Sequence, residues 1–392
     1  MKLRKSQLAA AVGAALVVGA SAVQAQTAPT APGPVASSQP LTVQLYGQVS
    51  RAVMFADDGF SSKWFHVDAQ PSSTRFGINA SAPVGGGLRV GGRIETEMKS
   101  NPSNVVNFGN PSTGAVSGNV LWAERWLDAF VEGPFGRINM GQGSAAADDV
   151  STLDLSGTNM PNGTCPTDWG GGIAFRNSAT GAPLTGSLQG QANGSFGLGD
   201  CNDFESRYDR LQYTTPSFGG FRAQASTGQK GTAEGTEASL WYTGKLAGDF
   251  QAAVGWSRLN SSTPAGVPDR ETMGFGVAWA HASGFNIALN HTTVDGIAQT
   301  AGNDRKGKTT WGKVGYKFGQ HAIAIDYGQY DDIAADGDEG KSYGIGYVWT
   351  PQRWAEIYAG YHLFELDAGP RAGVTTPVED ITVFAIGTRV RF

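Results

Sequence analysis

The charged residues of this chain are few, and several are spaced by twos. Between Gly87 and Lys99, Arg89, Arg93, Glu95 and Glu97 alternate with Leu88, Val90, Ile94 and Met98, so an extended backbone puts charges on one face and apolar groups on the other. The same count sets Arg75 opposite Phe76 and Ile78, and Arg210 opposite Leu211 and Tyr213. Arg125 sits in a run where Trp126, Asp128 and Phe130 alternate with Leu127, Ala129 and Val131; neither set is clearly apolar, so its orientation stays open. Further on, ADDVSTLDLSGT brings Asp148, Asp149 and Asp154 into one polar stretch. Guanidinium and carboxylate groups without a nucleophile beside them act through their field, on ions and dipoles.

Bond-making chemistry has less support. His66, His281, His291, His321 and His362 have no neighbours in sequence that suggest a metal centre or a hydrolase triad. Asp331, Asp332, Asp336, Asp338 and Glu339 lack the EF-hand spacing for Ca²⁺ and read as a solvated acidic loop. Glycines such as those of GGRIE do not link a strand to a helix, as a nucleotide motif requires. Neither cofactor nor metal is expected.

The elements that carry these charges follow from composition and period. The 392 residues include 56 glycines, only 16% are charged, and mean hydropathy is -0.23. No apolar run in the body reaches the length of a transmembrane helix, which excludes a helical membrane protein. Lys2, Arg4 and Lys5, the apolar stretch Leu8 to Ala20 and Val23-Gln24-Ala25 predict a signal peptide over residues 1–25, cleaved before Gln26. Its removal makes the net charge of -5 three units more negative, which argues against nucleic acid as a partner. In an oxidising compartment Cys165 and Cys201, the only cysteines, pair by default, which restricts the unfolded chain by roughly 3–4 kcal/mol in the entropy model.

Residues 26–40 read as a flexible leader. From Leu41 the period is two. Short turns fall at Pro83 to Gly87, Gly133 to Gly136, Pro216 to Gly220, Leu246 to Asp249, Ala282 to Gly284, Phe318 to Gln320 and Thr350 to Arg353, and longer polar loops centre near residues 60, 110, 175, 232, 265, 302, 336 and 373. Seven turns and eight loops require sixteen strands, an all-β chain. Large apolar side chains keep to one face (Phe250, Val254, Trp256; Met273, Phe275, Trp279; Phe285, Ile287, Leu289; Ile323, Ile325, Tyr327; Tyr343, Ile345, Tyr347, Trp349), with Gly and polar residues on the other. Aromatics gather at strand ends, at Trp256, Trp279, Trp311, Tyr316, Phe318, Trp349, Trp354 and Tyr361. An apolar face meeting lipid, a polar face enclosing solvent and aromatic belts at both interfaces are the marks of a 16-stranded antiparallel transmembrane β-barrel in the outer membrane.

Four stretches resemble the general trimeric porins of the proteobacterial outer membrane: VQLYG from Val43, STRFGI from Ser73 with GGGLRVGGRIE from Gly85, GPFGRINMGQG from Gly133, and YDRLQYTTPSFGGF from Tyr208. The resemblance covers most of 41–392. The final Phe392, with Val390, Ile386 and Phe384 in its row, is similar to the signal read by the barrel-assembly machinery, although Thr388 interrupts the row. The resemblance implies a water-filled channel for passive diffusion of ions and small hydrophilic solutes, a homotrimer, contact with outer-membrane lipid and lipopolysaccharide, and a long third loop, about Ser144 to Ser206, folded inward. Arg75 then takes a pore-arginine position, and Arg125 matches another if it faces inward. Arg75, Arg89, Arg93 and Arg210 are expected to face Asp148, Asp149 and Asp154 at a constriction. The alternatives are a solute- or anion-selective channel and, less favoured, an outer-membrane hydrolase.

Overall fold

Wherever the sequence alternates apolar and polar residues, the computed structural model has a long strand. It describes residues 40–112, 122–201, 203–260, 268–297 and 305–392. The expected signal peptide, and the leader up to residue 39, lie outside them.

The first strands are β1 (Thr42–Asp57), β2 (Ser62–Asp68), β3 (Arg75–Gly85), β4 (Leu88–Met98), β5 (Trp122–Gly133) and β6 (Gly136–Ser144). A long segment, 145–206, follows, whose described residues hold single helical turns and the two-residue β7 (Arg176–Asn177). It leads to β8 (Arg207–Thr214), β9 (Phe221–Lys230), β10 (Ala233–Lys245), β11 (Gly248–Asn260), β12 (Arg270–His281), β13 (Phe285–Asp295) and β14 (Lys306–Phe318). After these come β15 (His321–Asp331), β16 (Glu339–Gln352), β17 (Ala355–Asp367), the two-residue β18 (Val378–Glu379), which pairs with β7, and β19 (Ile381–Arg391).

Neighbours in the large sheet pair antiparallel, and β19 pairs with β1, so the sheet closes on itself. β2 and β3 both pair with β1 and act as one interrupted strand, which leaves sixteen positions around the barrel. The interruption is the turn Gln70–Ser72, where Pro71 has no N–H to offer a ladder. There the Asp68 carboxylate accepts the backbone N–H groups of Ser100 (2.7 Å) and Asn101 (2.6 Å) and pairs with Arg51 at 2.5 Å.

The bulky row lies outside: Ile287, Leu289, Ile325, Tyr327, Ile345 and Tyr347 are all exposed. Trp311 departs from the expected belt. It is 1% exposed and points inward, among Leu153, Phe204 and Ala288. The inner row is also less polar than its sequence suggests. Met54, Phe65, Val67, Tyr330, Tyr358, Phe364 and Val383 are buried against Trp169, Ile173, Phe175, Leu188 and Leu198 of the long segment. Apolar wall residues escape water by pairing with an apolar loop, which removes the need for solvent on that side.

Two glycines show how closely wall and segment meet. The single helical turn Asn159–Asn162 rests on β16 and β17. A Cβ at Gly346 would strike the Asn162 amide, and one at Gly360 would lie 2.7 Å from the Pro161 carbonyl oxygen.

Candidate functional site

The kink before β3 delivers Arg75 to the inner face. Its Nε donates to the Ser73 carbonyl (3.0 Å) and Nη2 to the Ser72 hydroxyl (3.2 Å), so one backbone and one side-chain oxygen beside the turn hold the guanidinium. Next to it on β4 stand two buried carboxylates. Glu95 accepts from Arg125 Nε (2.7 Å), Arg93 Nη2 (2.5 Å) and Tyr46 Oη (2.8 Å), and lies 3.8 Å from Arg75. Glu97 accepts from Arg125 Nη1 (3.1 Å) and the Ser73 hydroxyl (2.7 Å), and pairs with Lys99 at 2.7 Å. Four cations share two carboxylates, so this wall keeps positive charge. The Arg93 guanidinium carbon also sits 4.1 Å from the centre of the Trp126 ring, a cation–π contact that fixes its pose.

Arg125 reaches this group through a β-bulge. Glu95 opposes Trp126 while Thr96 opposes Glu124, which leaves Arg125 as the extra residue. The faces therefore exchange at this point, and Arg125 turns inward although the regular alternation from Leu127 to Val131 would count it outward; the inward Trp126 and Phe130 are what left neither face clearly apolar.

Segment 145–206 supplies the acids. Its start is tied to the wall: the Ala146 N–H donates to the Ser226 hydroxyl (3.0 Å), the Ala147 N–H to Glu237 Oε2 (2.7 Å), and Asn290 Nδ2 to the Leu153 carbonyl (3.1 Å). Arg75, Arg125, Arg207, Lys230 and Arg270 line one cavity of about 690 Å³ together with Asp148, Asp149, Asp154 and Asp203. Repulsion from Asp148 pushes the Asp149 carboxyl above its ordinary value; burial, then Asp148 and Asp149, does the same to Asp203. Asp168 and Asp200, on the same cavity, are raised first by burial. Cys165 and Cys201 form the expected disulfide and lie in the cavity wall.

The structure gathers Arg75, Arg125, Asp148 and Asp149, and separates others from them. Arg89 lies at the short-turn end of β4, 3.8 Å from Glu132 and bonded to the Ser81 hydroxyl, so alternation gave its face but not its height. Arg210 faces inward but is buried: its side chain and that of Asp128 are each 1% exposed, 3.1 Å apart. Asp154 touches the cavity, yet its carboxylate is held by Lys313 at 2.6 Å, both side chains 1% exposed. Arg93 is one step along the wall, held by Glu95. Arg207, Lys230 and Arg270 were not foreseen. Met273 and Phe275 set the outward phase of β12 and so place Arg270 inward by counting; in β9 the outward row is Phe221 followed by the small Ala223 and Ala225, a weaker guide for Lys230. The acidic loop at 331–339 also has structural work: Asp338 pairs with Arg371 and accepts the Gly369 N–H (2.9 Å).

A sequence profile described as Gram-negative porin matches residues 9–369. No curated protein sequence matches the chain. Among solved structures it is similar to an anion-selective porin from Comamonas acidovorans, 20% identical over 90% of this chain and 100% of that one, TM-score 0.63. It is similar also to OmpF of Salmonella typhi in complex with daunomycin, 15% identical over 89% and 97%, TM-score 0.58. A third is OmpT of Vibrio cholerae in a trimer form, 17% identical over 90% and 99%, TM-score 0.55. At these identities the likeness is one of fold.

Proposed function

Because the chain belongs to the Gram-negative porin family, it is an outer-membrane channel for passive diffusion of solutes, and we propose that segment 145–206 folds into its lumen and sets a charged constriction. Arg75 and Arg125, joined by Arg207, stand on one part of the rim; Asp148 and Asp149 stand on another. The observation that supports this reading is that all five side chains line one and the same cavity.

Opposed charges act on a permeant through their field. A hydrated ion or dipolar solute exchanges part of its water for these groups, and an apolar one gains nothing to offset the ordered water it displaces. The basic excess around Glu95 and Glu97 favours anions at this point, so an anion-preferring channel is the second reading. A homotrimer is part of the proposal, as are lipopolysaccharide at the outer surface and the barrel-assembly machinery during insertion.

The test is reversal potential in a salt gradient across a planar bilayer, for the natural chain and for Arg75→Ala with Arg125→Ala. Selectivity is expected to move toward cations. An unchanged reversal potential would remove these residues from the constriction, and conductance that saturates with one solute would favour a specific channel.

A further inference from the structure

The acids at the two ends of the long segment converge. One carboxylate oxygen from each of Asp148, Asp149 and Asp203 lies within 4.8 Å of the others. Among the described residues, no Arg or Lys makes an ion pair with any of the three. Asp203 accepts the Asp149 N–H (3.0 Å) and the Ser151 hydroxyl (2.8 Å). Asp148 is different: it is 8% exposed, and its Oδ2 has no hydrogen-bond partner. Beside it Glu237, 1% exposed, accepts the Ala147 N–H with Oε2 and leaves Oε1 without a partner. A buried carboxylate that stays ionised is paired or bound to a cation, and among the described residues no Arg or Lys pairs with Asp148.

We propose that Asp148, Asp149 and Asp203 bind a divalent cation of the Ca²⁺ class. The donors are anionic oxygens with no nitrogen or sulfur among them, which suits a hard cation over Zn²⁺ or Cu²⁺. Ca²⁺ takes oxygens at about 2.3–2.6 Å, so two of them can lie about 5 Å apart across it, whereas Mg²⁺ requires about 2.0–2.1 Å in a rigid octahedron. A spread of up to 4.8 Å fits the larger ion. Asp149 is exposed to the cavity, which leaves room for water to complete the shell.

Two consequences follow. Asp148 and Asp149 come soon after β6 and Asp203 shortly before β8, so the cation staples the beginning of the long segment to its end. It also cancels negative charge at the rim while Arg75, Arg125 and Arg207 keep theirs, which turns the channel toward anions; this second effect rests on the constriction proposed above, whereas binding does not.

The experiment uses the full folded protein in detergent, stripped with a chelator and titrated with Ca²⁺ and then Mg²⁺ by calorimetry. One Ca²⁺ per chain is expected, with Mg²⁺ weaker, and in Asp148→Asn with Asp203→Asn the Ca²⁺ affinity falls about tenfold or more. Asp149→Asn alone serves if the double variant does not fold. Absence of Ca²⁺ binding in the natural chain, or unchanged affinity in a folded variant, overturns the site. Reversal potentials with and without Ca²⁺ separate the two readings. A shift toward anions supports both; stoichiometric binding without any shift supports the site and overturns the constriction.

Discussion

The inner wall has two parts built on one alternating pattern, and the long segment treats them differently. Along β3 to β5 the charges of Arg75, Arg93, Arg125, Glu95 and Glu97 form a ladder partly open to the cavity. Along β14 to β17 the segment covers the wall. Lys313 meets Asp154, Asn162 Nδ2 donates to Asp326 (2.8 Å), and His362 Nε2 donates to the Pro161 carbonyl (2.7 Å), all buried. A charge facing the interior of a barrel therefore has two uses. Left accessible it presents its field to the cavity; covered, it holds the covering in place.

The sharpest way to break this contrast is in the covered part. Asp154→Asn or Lys313→Ala strands one buried charge and is expected to cost about 3–5 kcal/mol, whereas replacing both by Leu and Met is expected to cost far less. Unfolding in guanidinium, run as a double-mutant cycle, measures this; a single-variant loss below about 1 kcal/mol, the range of an exposed pair, would erase the distinction. Cys165→Ser comes next. It releases a constraint of roughly 3–4 kcal/mol on the unfolded chain. The effect belongs to the segment, so proteolysis within 145–206 should quicken while the folded barrel keeps its mobility in an unheated gel. Gly346→Val forces Asn162 off the wall, at about 1–3 kcal/mol by overpacking, with a rise in single-channel conductance as the segment shifts.

The accessible part should respond in the opposite sense. Arg93→Lys forfeits the planar stack on Trp126 and the fork to Glu95, yet changes stability by less than about 1 kcal/mol; its effect is read in ion selectivity. The smallest expected change concerns pH. Burial, and for Asp168 also Asp200, raises both carboxyls above their ordinary values. The folded segment then binds protons more tightly than the unfolded chain, so this contribution is full below the ordinary aspartate value and fades as pH rises toward the raised ones. Protease resistance of 145–206 should be higher at pH 5 than at pH 8, and Asp168→Asn should flatten the difference.

Much of the barrel was legible because lipid-facing rows need bulk at every second residue. Ile287, Ile325 and Tyr347 declare a phase, and turn residues divide the rows. The interruption at Gln70–Ser72 was not, although Pro71 stands in it, since the Asp68 carboxylate that ties it down bonds to Ser100 and Asn101 in another loop. In the site, alternation found the faces of Arg75, Arg93 and Glu95 but not their heights, so it grouped Arg89 with them. It left Arg125 open, because Trp126 and Phe130 put aromatics on the inner face of its strand, and the bulge then shifts the phase by one residue there. Trp311 misled for a related reason: an aromatic at a belt spacing is equally suited to lie under a loop, and only the fold of residues 145–206 decides which. Burial of Asp154 and Arg210 depends on partners distant in sequence, Lys313 and Asp128, that no local pattern announces.

The strands farthest apart along the chain are neighbours in space. Gln48 is in register with Arg391, and Gly47 exchanges N–H and carbonyl bonds with Phe392 at 2.9 and 3.0 Å. Joining these ends costs more chain entropy than any adjacent hairpin, so the seam should zip last. Until then the growing wall carries two unpaired edges at its first and final staves, each able to join a stranger's ribbon. Until the ring locks, that open slot is the part of the chain most prone to pair with a second copy.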